Sequence, residues 1–270
     1  MNRPTNIVIL TGAGISAESG VATFRGPGGL WEGHRVEDVC TPEALARDPV
    51  LVHRFYDARR VGLASVEPNA AHLALARLDA AWAGDLLIVT QNVDDLHERA
   101  GAKRVLHMHG ELRSALCAAC GARAVWEGDM LAQSNHVRPE PVEGPSCYSE
   151  SPEERQGFDK FSPNGEGFVA PNCAECSRPT IRPDIVFFGE MPYQMERIEA
   201  AIAGCDLFVS VGTSGAVYPA AGFVQTARWH GAATLELNLE PSQGSVLFDE
   251  SRMGPAGRLV PEWVDEVLGA

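Results

Sequence analysis

No apolar run in the sequence approaches the roughly 18 residues of a membrane-spanning helix, and no basic stretch followed by a long apolar one opens the chain. Both absences argue against a membrane protein and against a secretory signal, so a cytoplasmic location is expected. Positive charge is scarce as well: 22 Lys and Arg face 36 Asp and Glu, for a net charge of −14. A chain this acidic repels a phosphate backbone, which argues against sequence-independent binding to nucleic acid and favours a basic substrate. Repeats of solenoid type are missing too. What is there, 45% hydrophobic and 21% charged residues over 270 positions, suits an enzyme-sized globule with one large domain carrying a smaller one.

Short β-rich apolar runs recur, each closed by a Gly-rich or polar turn: Ile7 to Leu10, Leu86 to Val89, Ile185 to Phe188, Leu207 to Val211 and Thr234 to Leu239. Runs of this kind read as buried parallel strands. Helix-length amphipathic stretches alternate with them, notably Pro49 to Ser65, Ala70 to Ala83, Met195 to Ala203 and Ala220 to Trp229, and Pro261 to Leu268 closes the chain. The alternation predicts an α/β fold, a Rossmann-like doubly wound parallel sheet.

Two regions break the rhythm. Phe24 to about Val66 begins with the loop Arg25-Gly26-Pro27-Gly28-Gly29 and runs into helical sequence without strands, and about Leu112 to Pro183 holds two CxxC pairs. They predict a smaller inserted domain made of a helical module, 36–66, and a zinc-binding module, 113–182, leaving 1–35, 67–112 and 183–270 to the sheet domain. Within the zinc module, Ser134 to Gly167 carries five prolines and few large apolar residues. Such a stretch buries too little surface to offset its ordering entropy, so a mobile insert is expected over 134–167.

Gly12-Ala13-Gly14-Ile15-Ser16-Ala17 follows the first strand and opens a helix. Small residues in this pattern let backbone amides approach a pyrophosphate at a helix N-terminus. Alone the motif is equally a tight turn, and the acidic residue usual about 20 positions later gives way to the loop Thr23 to Trp31. Support comes from Gly212-Thr213-Ser214 and Asn238-Leu239-Glu240 at two further strand ends, where open α/β sheets bind ligands. The ends together favour a dinucleotide. Thr90 to His97 adds an amide and carboxylates at another strand end, and Val105 to Gly110 brings His107 and His109. Either imidazole can serve as a general base near neutral pH. In an extended segment both share a face, so periodicity does not choose between them.

Cys117-x-x-Cys120 and Cys173-x-x-Cys176 give four thiolates, the ligand set of one structural tetrahedral zinc. In a reducing compartment such pairs point to metal more than to disulfide. The 52 residues between the pairs exceed the usual ~15 to 20, but the Pro-rich insert supplies most of the excess and loop entropy grows slowly with length. With Cys at all four positions, no ligand site stays open for catalysis.

In this order, and along nearly the whole chain, the motifs resemble the sirtuins: Gly12 to Gly20, Thr23-Phe24-Arg25, Gln91 to Asp94, His109-Gly110, the CxxC pairs, Phe188-Gly189-Glu190 and Gly212 to Ser214. The resemblance implies NAD consumed as a co-substrate in removing acyl groups from protein lysines, with one structural Zn2+. It selects His109 as catalytic base and adds Asn92 and Asp94 to the catalytic set. It implies that Gly12, Ala13, Gly14 and Ala17 line a pyrophosphate site and that Phe24, Arg25 and Trp31 belong to a mobile cofactor loop. Gln91, Asn92, Val93 and Asp94 would hold the ribose and nicotinamide ends, and Gly212, Thr213, Ser214, Asn238, Leu239, Glu240 and Ala256 would surround the adenosine. Val186, Phe187, Phe188, Gly189 and Glu190 would pair with the substrate backbone as an added strand.

The chemistry so implied starts with departure of nicotinamide and attack of the acyl oxygen on the ribose carbon. His109 then takes a proton from a ribose hydroxyl, which attacks the acyl carbon, giving free lysine and 2'-O-acyl-ADP-ribose. Tyr56 and Arg59, spaced i, i+3 on a predicted helix, share a face on which a phenol and a guanidinium can hold a terminal carboxylate. Their Phe-Tyr-x-x-Arg pattern resembles sirtuins that remove succinyl or malonyl groups, with acetyl still accepted. The implied partners are acyl-lysine proteins, and the implied state is a monomer. Rival readings are a non-catalytic NAD or ADP-ribose sensor, a protein ADP-ribosyltransferase and a zinc-ribbon nucleic-acid binder. The intact Asn92, Asp94 and His109 set argues against the sensor, and the −14 charge against the nucleic-acid binder. The insert, with its extra Cys147, is the departure from the sirtuin pattern and touches the shape of the zinc module.

Overall fold

The computed structural model describes residues 4–23, 33–131 and 168–269. Phe24, Arg25, Trp31, Cys147 and the insert expected over 134–167 lie outside the described residues. In chain order the elements are β1 (Ile7–Thr11), α1 (Ala13–Ser16), α2 (Val36–Val39), α3 (Pro42–Arg47), α4 (Pro49–Leu63), α5 (Ala70–Ala81), β2 (Leu86–Thr90), α6 (Leu96–Arg99) and β3 (Val105–His107). They continue with β4 (Gly110–Cys117), β5 (Arg123–Val125), β6 (Ile181–Ile185), α7 (Met195–Ala203), β7 (Leu207–Val211), α8 (Phe223–Trp229), β8 (Ala233–Asn238), β9 (Glu250–Met253) and α9 (Ala256–Leu268).

The large sheet is parallel, in the order β3-β2-β1-β7-β8-β9. From β1 the order runs one way through β2 and the other way through β7, so the C-terminal ends of β1 and β7 flank a switch point, where such sheets take ligands. Successive side chains of β1 feed opposite layers. Ile7 and Ile9 pack with Leu75, Leu78, Val260 and Trp263 of α5 and α9, whereas Val8 and Leu10 pack with Ile198, Ile202, Phe223 and Val224 of α7 and α8. Two of the helices beside the site start where side chains satisfy their free amides. Asp48 caps α4 ahead of Pro49, and Asn69 caps α5 in a reciprocal pairing with His72.

The smaller sheet is antiparallel, β5-β4-β6, and leaves the large one after β3. It corrects one expectation: the strand read as Ile185 to Phe188 in the parallel sheet is Ile181–Ile185, paired antiparallel to β4. Ile-Arg-Pro-Asp-Ile reads poorly as a buried strand. Here β6 is an edge, where proline is tolerated, and its two charges are paired, Arg182 with Glu190 and Asp184 with Arg123. Edge position also explains why β3 and β9 escaped notice, since short or charged strands are how sheets end.

Helix α9 starts at Ala256 and carries Pro261 inside it, ahead of the start expected at Pro261. A mid-helix proline costs about 3 kcal/mol, but burial of Leu259, Val260, Trp263 and Val264 at ~1.5 to 3 kcal/mol per side chain outweighs it. The stretch read as one helix from Ala220 opens with a 3-10 turn, Ala220–Gly222, before α8. Val39, Cys40, Val52, Phe55 and Tyr56 of the helical module form one apolar cluster with Leu112, Ile185 and Phe187, which joins α2–α4 to the base of the small sheet. Among the described residues no helix is long and apolar enough to cross a membrane.

Candidate functional site

A cavity of about 910 Å³ runs from the switch point to the base of the small sheet, within the size range of small-molecule sites. Its floor is a junction of three strand ends. The Gly12 amide donates to the Val211 carbonyl, the Gly14 amide to the Gly212 carbonyl, and the Gly212 amide to the Leu237 carbonyl. The approach is so close that a Cβ on Gly14 would lie 2.7 Å from Gly212 Cα, and one on Gly212, at φ +62°, 2.4 Å from the Ile15 nitrogen. The glycines therefore serve the packing of this junction, a backbone-lined cradle at the cavity floor. Asn238 is largely spent on this junction: its Nδ2 donates to the Thr213 carbonyl at 2.7 Å. Glu18 accepts from the Gly257 amide at 3.0 Å and so caps the start of α9 beside Ala256.

After β2 the chain turns into the cavity, and the side chains there meet at Ser16. Ser16 Oγ donates to Asp94 Oδ2 at 3.0 Å and accepts from Asn92 Nδ2 at 3.0 Å. His72 Nε2 approaches the same oxygen at 3.4 Å. Because the Asn69 amide donates to His72 Nδ1, the ring proton sits on Nε2 and points the last hydrogen bond at Ser16. Burial holds His72 down to about 4, so it is neutral. Burial raises the Asp94 carboxyl, against the hydrogen bonds from Ser16 and the Leu96 amide that favour its charge.

His109 Nδ1 lies 3.1 Å from the Gln91 carbonyl. A carbonyl only accepts, so Nδ1 carries the hydrogen and Nε2 the lone pair. Burial lowers the pKa of this ring from the usual histidine value, which leaves the neutral base in place at neutral pH. His107 differs: it lies outside the cavity lining, is bound to Glu98, and its pKa is raised against the pull of burial.

The structure brings nearly all the expected site residues onto one cavity: Gly12, Ala13, Gly14, Ala17, Gln91, Asn92, Val93, Asp94, His109, Gly212, Thr213, Ser214, Asn238, Leu239, Glu240 and Ala256 line it, as do Arg59 and Val186 to Glu190. Tyr56 does not. It is fully buried, stacked 6.0 Å from the Phe187 ring and hydrogen-bonded to the Cys40 thiol, and burial pushes its phenol well above the ordinary value. Arg59 reaches the lining beside Ala58, Gly62, Leu63 and Val66, its guanidinium 5.5 Å from the Phe55 ring centroid. Ser16, His72 and the lining residue Cys40 went unassigned in the sequence. Ser16 stood inside the Gly12 to Ala17 motif, whereas nothing in spacing singles out His72 or Cys40.

Val186 to Glu190 forms a closed loop rather than a strand. The Val186 amide donates to the His109 carbonyl and the Phe188 amide to the Cys40 carbonyl. The Phe187 amide donates to the Glu190 carboxylate at 2.8 Å. With these donors engaged, a peptide laid along the loop meets mainly carbonyls, so full strand pairing on both sides of each residue is not available. Arg182 fills the loop's centre, bonded to both Glu190 oxygens and the Ile185 carbonyl, 4.0 Å from the Phe187 ring.

At the far end of the small sheet the sulfurs of Cys117, Cys120, Cys173 and Cys176 all lie within 4.8 Å of one another. Cys117 to Cys176 is 3.6 Å and Cys120 to Cys173 is 3.7 Å. A disulfide needs ~2.05 Å, while four sulfurs each ~2.3 Å from a tetrahedral zinc stand ~3.8 Å apart. The donor set fits the metal.

A Sir2 family profile matches residues 12–219. The chain belongs to the Sir2 family. It is 48% identical over 264 residues to an NAD-dependent protein deacylase of Salmonella typhimurium, covering 97% of this chain and 84% of that one. The solved structure of a Sir2 homolog–NAD complex superposes with a TM-score of 0.77 at 33% identity, covering 98% of this chain and 90% of the other. A Sir2 structure holding a deacetylated peptide and 3'-O-acetyl ADP ribose gives 0.73 at 27% identity, over 99% and 94%. The two superpositions thus span both sheets and the cavity between them.

Proposed function

We infer that the chain is an NAD-dependent protein-lysine deacylase that accepts acetyl-lysine and, through Arg59, acidic acyl groups such as succinyl. One observation carries the reading: a neutral histidine with its lone pair on Nε2 shares a cavity with the backbone cradle of Gly12, Gly14 and Gly212 and with the Ser16-linked Asn92 and Asp94. The cradle fits NAD, since Gly12, Ala13, Gly14 and Ala17 border the cavity at the switch point with no side chain larger than a methyl, so a pyrophosphate can approach the backbone. Bound NAD supplies an electrophilic ribose carbon, nicotinamide as the leaving group and a hydroxyl that accepts the acyl group. The chain's own work is to bind and orient. Gly12, Ala13, Gly14 and Ala17 take the pyrophosphate, Gly212 to Ser214, Asn238 to Glu240 and Ala256 the adenosine, and Gln91 to Asp94 the nicotinamide end. Ser16 fixes the Asn92 amide and the Asp94 carboxylate against each other, so neither reorganises during reaction. His109 takes up the ribose hydroxyl proton at Nε2.

The acyl-lysine peptide lies along Val186 to Glu190 with its acyl end toward Arg59, the cation on that wall. Tyr56 supports this wall from behind, through Phe187 and Cys40. The four cysteines hold a structural zinc that closes the end of the small sheet. The division into a sheet domain, 1–35, 67–112 and 183–270, and a smaller domain, 36–66 with 113–182, is supported by the two sheets and their separate apolar clusters. The enzyme works as a cytoplasmic monomer without nucleic-acid or membrane partners, a reading supported by its −14 charge where nucleic acid is concerned.

The test is mass-spectrometric turnover of matched succinyl-lysine and acetyl-lysine peptides, with and without NAD, by wild type, His109→Ala and Arg59→Met. Expected are nicotinamide and acylated ADP-ribose from wild type, none from His109→Ala, and selective loss of succinyl turnover in Arg59→Met. NAD binding without any turnover would sink the reading.

A further inference from the structure

His107 and His109 grip successive carbonyls of one loop. His109 Nδ1 meets the Gln91 carbonyl at 3.1 Å and His107 Nδ1 the Asn92 carbonyl at 3.0 Å. The rings part company at Nε2. That of His107 lies 2.9 Å from the Glu98 carboxylate. Both of its nitrogens therefore face acceptors, and only the doubly protonated imidazolium satisfies both.

Asn92 is thereby held at three points. Its amide donates to Thr90 Oγ1, its side chain donates to Ser16, and its carbonyl accepts from His107. Of these three holders Ser16 lines the cavity, while Thr90 and His107 stand behind it. We propose that His107, kept charged by Glu98, is a positioning residue for the reaction: it fixes the Asn92 main chain and so aligns the Asn92 and Asp94 side chains with the nicotinamide end of the site. The inference rests on the deacylase reading.

The charges around His107 agree with this role. Glu98 of α6 bonds its Nε2, and Glu111 of β4 adds a second favourable charge. His107 in turn favours the ionised form of buried Asp94 and the neutral form of His97. When the ring loses one proton, the charged Glu98 carboxylate keeps the other at Nε2 and the Nδ1 lone pair is left against the Asn92 carbonyl, so the clamp is present below the raised pKa of His107 and fades as pH rises through it. His109 needs the neutral ring, so its contribution grows as pH rises through its lowered pKa. Together they give a bell-shaped profile whose alkaline limb belongs to His107.

The experiment is the pH profile of NAD-dependent nicotinamide release with an acetyl-lysine peptide, for wild type, Glu98→Gln, His107→Gln and His107→Phe. The His107 ring is followed in parallel by NMR titration. Glu98→Gln keeps an oxygen acceptor but removes the charge, so the alkaline limb moves to lower pH while the acid limb stays. His107→Gln retains an amide donor for the Asn92 carbonyl and His107→Phe none. We expect kcat to fall roughly 10-fold and roughly 100-fold, up to what a misplacement of about 1 Å costs. The Glu98 side chain is 43% exposed, so its variant folds even if His107→Phe does not. A shared alkaline limb for wild type and Glu98→Gln would overturn the proposal, as would a wild-type kcat in a folded His107→Phe. No nicotinamide release by wild type sinks the deacylase reading and this role with it, and is told apart because the NMR titration reads the Glu98 pairing without turnover.

Discussion

Ser16 has one of the smallest side chains in the site, and three polar groups depend on it. Its hydroxyl joins Asn92, Asp94 and His72, and the fixed His72 tautomer leaves only one way to satisfy all three. Ser16→Ala strips buried Asp94 of a donor and leaves the Asn92 and His72 hydrogens without their acceptor. We expect a loss of about 1 to 3 kcal/mol of stability per stranded group, read by urea unfolding, with nicotinamide release reduced more than NAD binding. Unchanged unfolding would show that Ser16 is not the hub. At this scale the sequence displayed most of the site, because the cradle glycines and the Gln91 to Asp94 run sit at strand ends whatever their detailed contacts. Periodicity left His107 and His109 undivided, and only the family resemblance selected His109. They are separated at Nε2, which Glu98 bonds in one and, among the described residues, no carboxylate bonds in the other, and that is fixed by α6 rather than by their own spacing.

Among the elements, Val186 to Glu190 shows how a loop is made rigid without regular structure. Arg182 sits at its centre with a cation–π contact and a two-pronged ion pair, and Glu190 returns a bond to the Phe187 amide. Burial would raise the Glu190 carboxyl, yet the Arg182 and Phe187 hydrogen bonds hold it below its ordinary range. Arg182→Met removes the prong and frees the loop, so KM for the acyl-lysine peptide should rise roughly tenfold, about 1.4 kcal/mol, while KM for NAD stays put. Glu190→Gln and the double variant complete a cycle. Additive effects in it would mean that the pair does not hold the loop. The same ion pair explains a misread strand. Apolar Val186 to Phe188 attracted attention, while the true strand hid Arg182 and Asp184, whose charges are tolerable because Glu190 in the following loop and Arg123 on β5 neutralise them.

For the whole molecule, buried histidines set the acid limit. His53 and His72 are held down to about 4 by burial, and His97 well below its usual value for the same reason. Each folded-state pKa lies below the unfolded one, so stability is full above the unfolded value near 6.5 and is lost as pH falls toward 4. Fully protonated, His53 and His72 each cost roughly 3 kcal/mol. Asp57, pushed up to about 6 by burial, works the opposite way because the folded state takes up its proton first. Three histidines outweigh it over this interval. Urea midpoints should therefore drop between pH 6.5 and 4, and less steeply in His53→Leu, a position away from the cavity lining. Equal slopes would clear His53. One connection carries a mechanical consequence. The His109 imidazole is tied to the large sheet's Gln91 loop and its main-chain oxygen to Val186, at the exit of the small sheet. A lever moves least at its fulcrum. If the two sheets rock against each other as substrates enter and products leave, the proton acceptor rides close to the axis and keeps its aim while the walls around it travel.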